Sequence, residues 1–207
     1  ILKEKGIDDI TIGEGFGSNE AAEDAFKKLG YNDLKERFSV KLINTQDRPY
    51  KKIDMGCDFL VNFASDPLKA DYIISLPVLK THSQAIVSLG IKNLKGFISI
   101  PSRKKFHSAD PIKNLHFNVS KLPNNIPPCL TLIDGIYSLE RGPSMDGKAH
   151  RTNLLIASKD ILSADKVGAK VLGIEPSDVP HLVHIANDRD RSTDLSDIEI
   201  VGVKIEA

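Results

Sequence analysis

The stretch YIISLPVLKTH, residues 72–82, joins an apolar strand pattern to the start of an unusual basic segment. Residues 72–76 are apolar and β-branched, which is typical of a buried parallel strand, and Pro77 is expected to end that strand. From residue 72 to residue 109 there is no Asp or Glu, although the whole chain has 28 basic and 28 acidic side chains. Charge sorted in this way indicates an anion site. The basic and histidine side chains of residues 76–107 are Lys80, His82, Lys92, Lys95, Arg103, Lys104, Lys105 and His107.

Strand-like and helix-like segments alternate along the 207 residues. This alternation predicts an α/β fold, a three-layer arrangement in which a mostly parallel sheet has helices on both faces. We expect a single domain over residues 1–207. Because the chain opens at Ile1 without a Met, we also expect it to be a fragment of a longer protein. The predicted strands are 7–12, 38–43, 59–63 (a short strand or a hairpin), 72–76, 129–133, 153–157 and 198–203, and the predicted helices are 19–29, 83–95, 112–122, 162–172 and 179–186.

Three of the predicted strands are followed by polar side chains. Glu14 follows the first strand, Lys80 and His82 follow residues 72–76, and Asp134 follows residues 129–133. Because the carboxyl ends of parallel strands share one edge of a sheet, these side chains are expected to converge in one cleft. Residues 135–151, which are rich in turn signals, are expected to form a long loop there.

Several of these residues also have a purely structural explanation. Lysines on a helix usually form a solvated face, and this explanation is favoured for Lys95 and for residues 103–105. Asp134 can instead shape a turn through an Asx-type hydrogen bond, and Glu14 can stabilise a helix N-terminus. Asp165 can either stabilise its own helix or face the site as a second carboxylate. The histidines assigned to the surface or to packing are His116, His150, His181 and His184.

The composition argues against several classes of protein. Cys57 and Cys129 lie far apart, so they favour a reduced, cytoplasmic protein over a disulfide framework or a cysteine-ligated cluster. No apolar run approaches the length of a membrane span. The glycines of residues 13–17 follow G-x-G-x-G spacing and not the dinucleotide-binding fingerprint. A net charge of zero and the lack of Trp argue against nucleic-acid binding.

Separate blocks of the chain, taken in order, resemble the domain-of-unknown-function family 362. The resemblance covers most of the chain, from about Ile7 onward, and an ordered set of blocks is more specific than any single motif. The blocks are LPVLKTH (76–82), GIKNLKG (90–96), KKFH (104–107), LTLIDGI (130–136), Gly142-Pro143, NLLIAS (153–158) and SADKVGAKVLGI (163–174).

The resemblance implies a link to iron–sulfur chemistry. Many members of the family are similar to iron–sulfur proteins that carry a ferredoxin-like module with two four-cysteine runs. This chain has no such run, so no cofactor is expected within it. The resemblance then implies that any iron–sulfur cluster lies in a module missing from this chain, and that this domain binds the substrate.

Two functions from different classes are consistent with these residues. In the first, an enzyme domain binds an anionic small molecule through Lys80, Thr81, Lys92, Asn93, Glu14 and Gly142, with His82, His107 and Asp134 as the catalytic residues. A redox version adds electrons from an external cluster. In the second, a non-catalytic module docks an acidic, ferredoxin-like electron-transfer partner, in cis or in trans. No metal is predicted, because the three candidate catalytic side chains are suitable ligands but lack local spacing.

Overall fold

The computed structural model describes residues 1–16, 19–56, 59–107, 114–141 and 147–203. Within these residues the strands are β1 (Thr11–Glu14), β2 (Lys41–Asn44), β3 (Tyr50–Asp54), β4 (Leu60–Ala64), β5 (Ile73–Ser75), β6 (Val78–His82), β7 (Ile86–Ser88), β8 (Cys129–Glu140) and β9 (Lys148–Ser158). The helices are α1 (Asn19–Lys28), α2 (Tyr31–Phe38), α3 (Ser65–Lys69), α4 (Gly90–Asn93), α5 (Ile100–Lys105), α6 (Leu115–Ser120), α7 (Ile161–Val171) and α8 (Pro180–Asp188). Short 3-10 turns cover Lys3–Lys5, Leu94–Phe97, Leu122–Asn125 and Pro176–Asp178.

Strand β8 is the centre of the main sheet. Strands β5 and β6 pair with successive parts of it in parallel, and β9 pairs with it antiparallel. Strand β7 then pairs antiparallel with β6. Two further pairs stand apart, the parallel β1–β2 pair and the antiparallel β3–β4 hairpin. The predicted α/β class is confirmed, and the hairpin alternative weighed for residues 59–63 is the one observed.

The core lies between the main sheet and α7. Leu89, Ile133 and Leu162 are fully buried. Gly168 lets α7 approach closely, because a Cβ at this position would lie 2.9 Å from Leu89 Cδ1 and 3.2 Å from Ile133 Cδ1. Each buried aliphatic side chain of this size contributes about 1.5–3 kcal/mol. The sheet that carries the candidate residues is therefore held firmly from this side.

The helix predicted for residues 83–95 is wrong. Residues 86–88 form β7, and helix begins only at Gly90, for the single turn α4. The β-branched pair Ile86 and Val87 favours a strand, and β6 offers it a pairing edge. A local helical period was thus overridden by strand pairing.

The long loop predicted for residues 135–151 is wrong as well. Strand β8 continues to Glu140 and β9 begins at Lys148, so most of the segment is paired strand. Residues 153–157 belong to β9 and are not a buried parallel strand, and Leu155 is 59% exposed. Asp134 consequently lies within a strand and does not follow one.

Other differences concern element ends. Pro77 interrupts the strand but does not end it, because β6 resumes at Val78, so Lys80 and His82 lie inside β6. Residues 198–203 contain no strand. Glu14 belongs to the separate β1–β2 pair, so the three predicted strand ends do not share one sheet edge. None of the described helices is long and apolar enough to cross a membrane.

Candidate functional site

Five basic side chains from four different segments of the chain form what we call the basic cluster. Two come from β6, one from α4, one from the 3-10 turn at residues 94–97, and one follows α5. The other four members all contribute charge that lowers the pKa of His82, so the five side chains lie within electrostatic range of His82. The structure therefore brings together side chains that are up to 27 positions apart in the sequence. The members of the basic cluster are Lys80, His82, Lys92, Lys95 and His107.

His82 is held as a neutral imidazole. Its Nδ1 accepts hydrogen bonds from the backbone amides of Gln84 at 3.1 Å and Ala85 at 3.2 Å. Burial, with smaller contributions in the same direction from the charges of Lys92 and Lys95 among others, lowers the pKa of His82 to about 4. With Nδ1 acting as an acceptor, the proton of the neutral ring is on Nε2. His82 can therefore donate a hydrogen bond to an anion but is a poor general base at neutral pH.

Lys92 is an ammonium group that has no counter-ion among the residues that the structure describes. Burial lowers its pKa to about 8, with smaller contributions from the charges of Lys95 and Lys80. It makes no hydrogen bond or ion pair with the residues that the structure describes. A largely buried charge without a partner is unfavourable, and a bound anion would supply the missing partner.

Lys95 is paired with a histidine instead of a carboxylate. Its Nζ lies 2.9 Å from His107 Nε2 and 5.4 Å from the ring centroid of the buried Phe106. Burial lowers the pKa of Lys95 to about 8, and the charge of Arg103 adds to the effect. The pKa of His107 is also lowered, by burial first and then by Lys95. Lys95 thus belongs to the cluster and not to the solvated face favoured from the sequence.

A carboxylate 75 positions from Gly90 holds α4 in place. Asp165 Oδ1 accepts from the Gly90 amide at 2.7 Å, and Oδ2 accepts from the Ile91 amide at 2.9 Å. Burial raises the pKa of Asp165 to about 7, and the two amides oppose this rise. The sequence left open whether Asp165 stabilises its own helix or faces the site. Its observed role is to cap α4, the helix that carries Lys92.

Arg103 is a structural clamp and not a solvated rim residue. It donates from Nε to Ile98 O at 2.7 Å and from its two terminal nitrogens to the carbonyl oxygens of Gly15 and Gly96, both at 2.9 Å. These bonds attach the end of β1 to the turn that bears Lys95. Lys104 and Lys105, by contrast, are exposed as expected.

Glu14 has a local hydrogen bond beside this clamp. Its Oε1 accepts from the amide of Gly15 at 2.8 Å. Its negative charge raises the pKa of Arg103, which burial lowers. Glu14 therefore lies on the Arg103 side of the cluster, where it shapes the turn after β1.

Other predicted residues stand beside the cluster or outside the described residues. Asp134 is exposed and its Oδ1 accepts from the amide of Ile136 at 2.9 Å, which is the Asx-type bond considered from the sequence. Asn93 is exposed and donates to Ser75 Oγ at 3.1 Å. Thr81 is half-buried in β6, opposite Val87.

Gly142 and the neighbouring Pro143 lie outside the described residues. Cys57 does as well. The predictions made for these positions stay predictions.

A pair of histidines that the sequence assigned to surface or packing adjoins the cluster. His181 is fully buried, and its Nδ1 lies 3.2 Å from His116 Nδ1, with the two rings stacked. Burial lowers the pKa of His181 to about 3, and the charges of Lys92 and His82 contribute. No local sequence pattern distinguished these histidines. They are 65 positions apart, and only the packing of α6 on α8 brings them together.

The cluster is a half-buried surface site and not a deep cavity. Two clefts in the described chain, of about 200 and 500 Å³, are lined by other residues, around Leu42–Asp66 and around Lys51–Pro127. No three His, Cys, Asp or Glu side chains among the described residues are arranged to hold a metal ion. The chemistry that the cluster offers is that of amines and imidazoles.

Comparison with known proteins agrees with the ordered motifs. A family model described as "Domain of unknown function (DUF362)" matches residues 1–170. The chain belongs to this family. The DUF362 match contains the whole basic cluster as well as Asp165.

One curated relative is informative about the extent of this DUF362 chain. The thylakoid-associated protein sll1697 of Synechocystis sp. (strain ATCC 27184 / PCC 6803 / Kazusa) is 26% identical over 170 residues, which cover 80% of this chain and 51% of that protein. The chain therefore spans about half the length of this curated relative. No solved structure matches the chain.

Proposed function

We propose that this DUF362 chain binds an anionic small molecule, a carboxylate or a phosphate ester, at the basic cluster. The observation that carries the proposal is Lys92, a largely buried ammonium group that has cationic neighbours and no carboxylate partner among the described residues. Folding has concentrated positive charge where it is costly, and an anion would offset that cost.

Each member of the cluster has a distinct role in this proposal. Lys80 and Lys92 hold the negative charge, and His82 donates a hydrogen bond from Nε2. His107 is the better candidate for proton transfer, because Nδ1 of His82 is already engaged by two amides. Thr81 and Asn93 flank these groups and can add neutral hydrogen bonds.

The test is stabilisation by anions at constant ionic strength. Phosphate, pyrophosphate and citrate are titrated against matched chloride, and the melting temperature is followed. Binding at 100 times Kd adds about 2.7 kcal/mol, and each kcal/mol raises the Tm of a chain of this size by about 2–4 °C. Lys92→Met and His82→Asn should each abolish the rise and remain folded.

A matched control uses a lysine outside the cluster. Lys104 is exposed on α5, so Lys104→Met should leave the anion effect unchanged. The proposal is wrong if no anion raises the melting temperature of the unmodified chain. It is also wrong if Lys104→Met loses as much of the anion-induced rise in melting temperature as Lys92→Met does.

A second function is favoured by the exposed Lys104 and Lys105, which lie next to the cluster on α5. In this version the chain docks an acidic, ferredoxin-like partner, and in its redox form electrons arrive from an iron–sulfur module outside this chain. Docking of this kind weakens steeply with salt. A Lys104→Glu/Lys105→Glu variant should then lose binding to an acidic ferredoxin and keep the response to anions.

The location of the protein is a separate question. The cytoplasm stays the prediction from the sequence. The name of the relative suggests thylakoid association as an alternative, and fractionation of cells that make the tagged protein distinguishes the two.

A further inference from the structure

We propose that Lys95 is a nucleophilic amine that forms an imine with the carbonyl group of an anionic substrate of the 2-oxo acid class, with His107 as its proton-transfer partner. The proposal rests on the proposed function, because the carboxylate of the substrate would be held by the anion site. It goes further in assigning a covalent step and a class of substrate.

The geometry of the Lys95–His107 pair supports this role. The Nζ–Nε2 distance of 2.9 Å is that of a hydrogen bond, so the ammonium can pass a proton directly to the imidazole. Phe106 covers the amine from another side, and no carboxylate among the described residues neutralises it. Nucleophilic lysines are activated by an apolar wall and a second cation, which here are Phe106 and Arg103.

A substantial fraction of the Lys95 side chain is unprotonated near neutral pH, as a nucleophilic amine must be. With a pKa of about 8, roughly a quarter of the Lys95 side chain is a free amine at pH 7.5, against about one in a thousand for an ordinary lysine. His107 is in its neutral form at this pH because burial lowers its pKa, so its Nε2 is available to accept the hydrogen bond from the Lys95 ammonium.

Lys95 is a better candidate for this step than Lys92. Both pKa values are lowered to about 8, but Lys92 makes no hydrogen bond with the described residues that could carry its proton away. Lys92 and Lys80 are instead suited to hold the substrate carboxylate. The division gives one amine for covalent chemistry and two ammonium groups for binding.

The covalent step balances without any further reactant. The Lys95 ammonium gives one proton to His107, and its nitrogen lone pair attacks the carbonyl carbon. The carbonyl π electrons move to oxygen, which takes the proton back from the imidazolium. Loss of this hydroxyl group as water, with a proton from the same nitrogen by way of His107, leaves a protonated C=N bond. The net change is a lysine ammonium plus a carbonyl compound giving an iminium ion plus water.

The experiment traps this imine by reduction. The full chain is incubated with pyruvate or glyoxylate at pH 8, treated with sodium borohydride, digested and mapped by mass spectrometry. The expected result is a reduced adduct at Lys95 that requires both reagents and is suppressed at least tenfold by excess phosphate, which competes for the anion site. Because the peptide map of the unmodified chain identifies the modified lysine directly, the assignment of the adduct does not depend on the folding of any variant.

Matched variants separate the roles. Lys95→Arg keeps the charge and should lose the adduct, and His107→Gln should slow trapping about tenfold or more. Lys104→Arg should trap as the unmodified chain does. Lys92→Met should lose trapping at low pyruvate concentration.

The outcomes distinguish this proposal from the one on which it rests. If phosphate stabilises the chain but the adduct is absent, or is as abundant at Lys104 and Lys105 as at Lys95, the imine proposal is overturned and anion binding stands. If a Lys95 adduct forms equally well in Lys92→Met and in the presence of excess phosphate, the amine is reactive and the proposed anion site is wrong.

Discussion

Asp165 Oδ1 accepts a hydrogen bond from the Gly90 amide at 2.7 Å, across 75 positions of sequence. The same carboxylate accepts from the next amide, so the first turn of α4 is held by a group on α7. Because α4 is a single turn, it has little stability of its own. The position of Lys92 therefore depends on Asp165.

Replacing Asp165 with Asn should destabilise the chain by about 1–3 kcal/mol, because the amide group cannot accept from both backbone donors. The loss should vary with pH. The folded pKa of about 7 is above the unfolded value, so the stability due to Asp165 is fully present below about pH 4 and is lost as the pH rises through 7. Urea unfolding of both proteins at pH 5 and pH 8 measures the difference in their free energies of unfolding. A difference that is no larger at pH 5 than at pH 8 would contradict the expected pH dependence.

Gly90→Ala should destabilise the chain, also by about 1–3 kcal/mol, through overpacking. A Cβ at this position would lie 2.7 Å from Thr131 Cγ2 and 2.8 Å from Asp165 Oδ1. Gly96→Ala is the matched control, since nothing lies within 4 Å of a Cβ there. Thermal unfolding of the two variants makes the comparison, and equal effects would show that the close approach at Gly90 is not limiting.

Lys92→Met should raise the stability of the ligand-free chain by about 1–3 kcal/mol at pH 7 while it abolishes anion binding. The folded pKa of about 8 is below the unfolded value of 10.5. The cost of charged Lys92 is therefore complete below about pH 8 and disappears as the pH rises to about 10.5. Denaturant unfolding at pH 7 and pH 10 should show the advantage of the variant shrinking. A destabilised variant would mean that Lys92 has a protein partner.

His82 should make the chain sensitive to acid. Its folded pKa of about 4 is below the unfolded value of 6.5, so stability is lost as the pH falls through this window, where only the unfolded chain gains the proton. His82→Gln should lose less stability between pH 7 and pH 4.5 than the unmodified chain. Comparing the two proteins cancels the opposite trend from Asp165. NMR titration of the ring gives the pKa directly, and a midpoint near 6.5 would refute this account.

Much of the candidate site was accessible from local patterns. The acid-free segment pointed to Lys80, His82, Lys92 and His107, and the structure brings these four together. Lys95 was misplaced because the sequence suggested a helix over residues 83–95, whose polar face would carry Lys95 into solvent. The strand β7 and the 3-10 turn at residues 94–97 turn it inward instead, beside His107. The strand end expected before Asp134 is wrong, because β8 continues to Glu140, and the catalytic role of Asp134 stays a prediction.

The sequence by itself determined the α/β class, the family and the location of the acid-free basic segment, because composition and short-range periodicity are properties of neighbouring residues. Only the tertiary structure decided that Asp165 caps α4, that β8 and β9 absorb the expected loop, and that Lys95 meets His107. The physical reason is the same in each case. A backbone amide or an open strand edge must find a hydrogen-bond partner, and the partner that satisfies it can lie anywhere along the chain.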